Sequence, residues 1–127
     1  MSPPKPKRRK EAEVTKYPPG LSYACEKFGL AVHALAVGPG DVRLRLRTAF
    51  MEFSAVQEKD IPDELLEDFR WIVRELTKRE PHIDEGRLNA TLFRMQNRTG
   101  TKIAEQICDL SSRLDGYYED QRRDCCS

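Results

Sequence analysis

Long apolar runs are missing from this sequence. No stretch approaches the roughly 18 consecutive apolar residues that a membrane-crossing helix needs, so no membrane span is expected. Histidine is scarce: only His33 and His82 are present. A catalytic dyad or a zinc site would need them to converge with Cys25 or Cys108, and no spacing supports that. The four cysteines (Cys25, Cys108, Cys125 and Cys126) contain no C-x-x-C pair, and the adjacent Cys125 and Cys126 are poorly placed to bond to each other. Metal ligands and cofactors are therefore expected to be none. Cys25 and Cys108 read as small buried apolar residues, and the terminal pair as mobile reduced thiols in a tail that is not a C-a-a-X box.

Catalytic patterns are missing as well. The arginine-then-histidine spacing of four to six used by some small helical ribonucleases is absent, since Arg79 and Arg74 precede His82 by three and eight. "GTK" at 100–102 resembles the end of a phosphate loop but lacks the first glycine and the preceding strand. The carboxylates from Asp63 to Asp68 read as a solvated helix start. No catalytic residue is assigned, and the chain is read as a non-enzyme.

What is present is a polar but globular composition, 39% apolar and 34% charged, on a length that fits one domain with a tail. The net charge of +1 hides an asymmetry. Residues 1–16 carry six cations against two acids, and the rest of the chain carries 16 against 19. A basic arm on a mildly acidic body is the pattern expected. With no apolar stretch behind the basic N-terminus, a secretory signal is not expected, which points to an intracellular location (cytoplasmic, or nuclear in a eukaryote).

Residues 1–19 are read as a disordered basic, Pro-rich arm, because "SPPKPKRRK" combines like charges with nothing to bury. "YPPG" at 17–20 stops any helix from extending backwards. A helical domain then spans 20–121, with 122–127 as a flexible tail. Leu21, Ala24, Phe28, Ala31 and Leu35 recur at helical spacing up to about Val37. "GPGD" ends that helix, and Asp41 can cap the next, which carries Val42, Leu46, Ala49, Phe50 and Phe53. "VRLRLR" at 42–47 alternates like a strand, but the alternation fails beyond Arg47. A third helix has Asp60 as its cap, Pro62 in its first turn, and a seam of Ile61, Leu65, Phe69, Ile72 and Leu76 widened by Leu66 and Val73. The fold class expected is all-α, a four- to five-helix bundle.

The last third poses a question. At about 100° per residue, Leu88, Leu92, Met95, Ile103, Ile107, Leu110, Leu114 and Tyr117 fall within roughly 120° of arc. That phase survives the polar window from Gln96 to Lys102. One long helix from about Arg87 to Glu119, kinked near Gly100, is the first reading; two helices restarting at Thr99-Gly100-Thr101 is the second. In the first, Gly100→Ala should be neutral or stabilising by up to about 1 kcal/mol.

Two surfaces remain as candidates for nucleic-acid binding. One is the arm, with Lys5, Lys7, Arg8, Arg9 and Lys10 suited to phosphate backbones. The other is a stripe of Arg87, Arg94, Arg98 and Lys102, stacked on successive turns of a continuous helix with Gln96 and Asn97 nearby. Residues 86–104 contain no acid. The expected function is a small accessory or regulatory protein that contacts nucleic acid through these surfaces. The alternative is a protein–protein interaction module, such as a small subunit or an antitoxin-like partner, without nucleic-acid binding.

Overall fold

The computed structural model describes residues 16–78, 91, 92 and 94–126, without the side chains of 125 and 126. It is all-α, and the described residues include the helices α1 (Leu21–Val37), α2 (Val42–Phe53), α3 (Leu66–Thr77) and α4 (Asn97–Cys126). No strand occurs among the described residues. α1 packs against α2 and α4, and α4 also packs against α3.

The apolar period decides which faces turn inward. Leu21, Ala24, Phe28 and Ala31 of α1 are buried, as are Leu46, Ala49 and Phe53 of α2. The alternation in 42–47 dissolves into this pattern, for Leu46 is buried while Leu44 lies outside. Asp41 caps α2 by accepting from the amides of Arg43 and Leu44, at 3.1 and 3.2 Å. The turn before it uses Gly40 at φ +85°, a backbone state that side chains with a Cβ rarely adopt. Phe28 ties three helices together. It stacks on Phe53 at 4.4 Å between ring centroids and meets Phe69 edge-on at 6.1 Å.

The seam of α3 lies in the core throughout: Ile61, Leu65, Phe69, Ile72 and Leu76 are all buried. The helix itself starts later than the sequence suggests. Two 3-10 turns, Glu58–Asp60 and Asp63–Leu65, precede Leu66. Asp60 does not cap α3. Its carboxylate reaches back to the Gln57 amide at 2.9 Å and closes a capping box on the first 3-10 turn. The same carboxylate lies against Gly20 at the start of α1, where a Cβ would stand 2.0 Å from Asp60 Oδ1.

Tyr17 and Pro18, expected in the arm, belong to the packed body. Pro18 is buried, its carbonyl accepts from the Leu21 amide at 3.0 Å, and the Tyr17 hydroxyl donates to Asp124 at 3.2 Å. Residues 1–15 of the arm lie outside the described residues. At the other terminus, residues 122–126, expected as tail, continue α4 to Cys126.

The single long helix from Arg87 is corrected. Thr91, Leu92 and Arg94 are helical, Met95 and Gln96 are not, and α4 begins at Asn97. The break lies before the Thr-Gly-Thr run, not within it. Gly100 is inside the first turn of α4, its amide bonded to the Gln96 carbonyl at 3.0 Å. The apolar phase survives because the break is short: the Met95 amide bonds to the Leu92 carbonyl at 3.2 Å, and both side chains stay buried. Gly100 is also buried, with α2 against it. A Cβ there would lie 2.9 Å from Val42 Cγ1 and 3.4 Å from Leu46 Cδ1. Glycine at 100 therefore reflects the close approach of two helices, and the expectation that alanine is harmless there is reversed.

Candidate nucleic-acid interface

α3 and α4 run antiparallel, and polar pairs set their register. The Tyr117 hydroxyl donates to Glu64, just before α3. One turn on, Arg113 pairs with Asp68 at 2.7 Å. Further along lie two grooves in succession, one between α3 and α4 and one where the end of α3 meets residues 91–96 and the start of α4. The first, about 350 Å³, is lined by Glu67, Asp68, Trp71 and Arg74 of α3 and by Lys102 and Gln106 of α4. The second, about 320 Å³, lies at the N-terminal end of α4 and is lined by Lys78, Thr91, Arg94, Met95, Gln96 and Thr99.

Charge differs between the two. The first groove combines two carboxylates, two cations, an amide and the partly buried indole of Trp71. Among the described residues, the lining of the second has two cations, two hydroxyls and an amide, and no acid. Lys78 there also pairs with Glu75 at 2.8 Å. The start of α4 adds the positive end of a 30-residue helix.

The sequence-derived site residues divide as follows. Lys5, Lys7, Arg8, Arg9, Lys10 and Arg87 lie outside the described residues. Arg94, Arg98 and Lys102 are described and exposed. They do not form one rigid ridge, because the break at Met95 and Gln96 separates Arg94 from the helix that carries Arg98 and Lys102. Arg94 lines the second groove and Lys102 the first, so the two cations serve neighbouring cavities. Trp71, Arg74, Lys78, Thr99 and Gln106 were missed as a group. The spacing of four between Arg74 and Lys78 was visible, but the sequence does not say which helix faces them.

The break is itself held in place. Arg43, clamped by the Asp41 carboxylate at 3.0 Å, extends a second guanidinium nitrogen to the Met95 carbonyl at 3.4 Å. The Asp41 carboxyl is held below its ordinary range by the Leu44 amide and by Arg43.

The expected burial of both cysteines is corrected: Cys25 is half-buried and Cys108, on the outward face of α4, is exposed. Nucleophilic chemistry finds no support at Cys25. Its thiol donates to the Leu114 carbonyl at 3.3 Å, and burial followed by the nearby Asp115 pushes it up to about 12. Among the described residues, no group of three or more His, Cys, Asp or Glu could hold a metal ion. Nor is any described helix long and apolar enough to cross a membrane. Comparison of the chain with family models, curated proteins and solved structures finds no match.

Proposed function

We propose that this chain is a non-enzymatic accessory or regulatory protein that contacts nucleic acid. Its contacts are the grooved end of the α3–α4 face together with the arm cations Lys5, Lys7, Arg8, Arg9 and Lys10. The observation that carries the reading is the convergence of Arg74, Lys78, Arg94 and Lys102, from three chain segments, on two successive grooves. Cations that line concave surfaces between helices favour a phosphate backbone over bulk solvent, and each phosphate they neutralise releases counterions.

The test is the salt dependence of binding to a labelled oligonucleotide, read by anisotropy. Five arm cations on duplex DNA should give a log–log salt slope steeper by about 4.5 than that of a chain lacking residues 1–15. The truncated chain should keep its helical circular dichroism. A triple substitution of Lys78, Arg94 and Lys102 by Gln should weaken what binding remains. If neither duplex nor single strand binds at low salt, the reading fails.

One observation favours the second reading, a protein-interaction module. Tyr23, Leu30 and Val37 stand seven apart on α1, Leu44 and Met51 seven apart on α2, and all five are exposed. Loss of a pulled-down partner on Val37→Lys or Met51→Lys, with no nucleic-acid binding by the wild type, would support it.

A further inference from the structure

We infer that the groove around Trp71 is a base-stacking site, so that the ligand of the α3–α4 face is a single-stranded nucleic acid read on its bases. The inference rests on the nucleic-acid reading and narrows it.

Glu67 and Asp68 share the first groove with Arg74 and Lys102. Carboxylates repel phosphates, so a duplex presenting only its backbone would gain little from this groove. They accept hydrogen bonds well, and the donors a nucleic acid offers are the edges of its bases and, in RNA, the ribose 2′-hydroxyl. Base edges and faces reach a shallow groove only when the strand is unpaired.

Trp71 supplies the face. It is the one tryptophan of the chain and is only partly buried, packed against the core on one side while lining the groove on the other. That anchoring holds the indole in place for a base to stack on, at little cost in side-chain freedom. Gln106 adds an amide that can both donate and accept. Arg74 and Lys102 are then placed for the flanking phosphates. Lys78 follows Arg74 one turn later, just past the end of α3 and about 6 Å along its axis, and opens the second groove with Arg94. The order along the face is therefore a base platform followed by a phosphate cradle. The acceptors of Glu67, and the Asp68 oxygen not paired with Arg113, favour bases with an exocyclic amine, cytosine, adenine and guanine, over uracil and thymine.

Because Trp71 is the only tryptophan, its emission reports on this groove alone. The full chain is titrated with 12-nucleotide homopolymers of C, A and U and with a 12-base-pair duplex. Binding is followed by anisotropy of a label on the nucleic acid and by tryptophan emission in parallel. The expected result is saturable quenching by C and A, with affinity at least tenfold above that for the duplex or for U at the same salt. Trp71→Ala should weaken single-strand binding by about 5- to 140-fold, whereas Trp71→Phe, which keeps a ring, should retain most of it. Circular dichroism shows whether the alanine variant folds; if it does not, Trp71→Phe and Glu67→Gln carry the test, and Glu67→Gln should narrow the preference for C over U. Equal affinity for duplex and single strand with unchanged emission at saturation overturns the stacking site and leaves the broader reading intact. Equal affinity for C, A and U overturns the base-edge contacts. No binding by any of the four removes both readings.

Discussion

Gly100→Ala separates two forces that the sequence alone confounds. An interior helical glycine costs about 1 kcal/mol relative to alanine, so the substitution carries that gain. Against it stands the space available. The new methyl would lie 2.9 Å from Val42 Cγ1, 3.4 Å from Leu46 Cδ1 and 3.5 Å from Met95 Sδ. Val42 is stiff at χ1, and Leu46 is fully buried, so neither yields without moving α2 or the start of α4. Overpacking of this kind costs about 1–3 kcal/mol. The net expectation is a loss of up to about 2 kcal/mol. Gly29 and Gly116 are internal controls, for both are helical and exposed with nothing within 4 Å of a built Cβ. Alanine at each should raise stability by up to about 1 kcal/mol. Urea midpoints of the three variants, compared at constant m, give the order directly. Combining Gly100→Ala with Val42→Ala should lose less than the sum of the two singles, because the second substitution vacates the space that the first needs. A Gly100→Ala midpoint that rises together with those of the two controls would refute the close-packing argument.

Phe69→Ala should cost about 3–5 kcal/mol through a cavity beneath Phe28, while Arg70→Ala should stay within about 0.5 kcal/mol, since its pair with Glu58 is exposed on both sides; similar urea midpoints would show the α3 face to be misassigned. Gly20→Ala should lower the melting temperature and disturb the Gln57–Asp60 capping box, as its methyl falls on the Asp60 carboxylate; an unchanged melting curve would mean that the carboxylate turns aside freely. In a chain whose Cys125 and Cys126 are serine, an alkylating reagent at neutral pH should modify exposed Cys108 well before Cys25, which mass spectrometry of the two peptides can check. Burial and the hydrogen bond to Glu64 push the Tyr117 hydroxyl from 10.0 up to about 12, so the fold favours its protonated form. That stabilisation is complete below pH 10 and is lost as pH rises towards 12, and Tyr117→Phe should flatten the alkaline limb of the stability curve between those values.

The helices and their inward faces were legible because apolar spacing is a local record of burial. Leu21 to Ala31, Leu46 to Phe53 and Ile61 to Leu76 could be placed from their own neighbours. The role of Asp60 could not, since a cap before Pro62 looks sound until Gly20, far upstream, brings α1 against the same carboxylate. The break at Met95 and Gln96 was hidden for the opposite reason. A tight turn there leaves Leu92 and Met95 on the buried side, so the periodicity carries no mark of it. The grooves depend on how far α3 and α4 stand apart, a distance that no single-helix pattern encodes.

The bond from Tyr17 to Asp124 fixes the root of the basic arm at the far end of α4 from the grooves. From Thr99 to Asp124 the helix rises about 38 Å. Lys5 to Lys10 lie six to eleven residues upstream of Lys16, a reach of about 20–40 Å when fully extended. The first groove, about 27 Å from Asp124 at Gln106, is reached by the outermost arm cations only when the arm is nearly extended, so on the proposed function arm and grooves are two tethered contacts. If the chain contacts nucleic acid as proposed, a short oligonucleotide would engage one or the other, and a strand long enough to bridge the helix would gain the second contact at a high effective concentration. Affinity against ligand length should therefore rise in a step, and deletion of residues 1–15 should remove the step while leaving the short-ligand affinity in place.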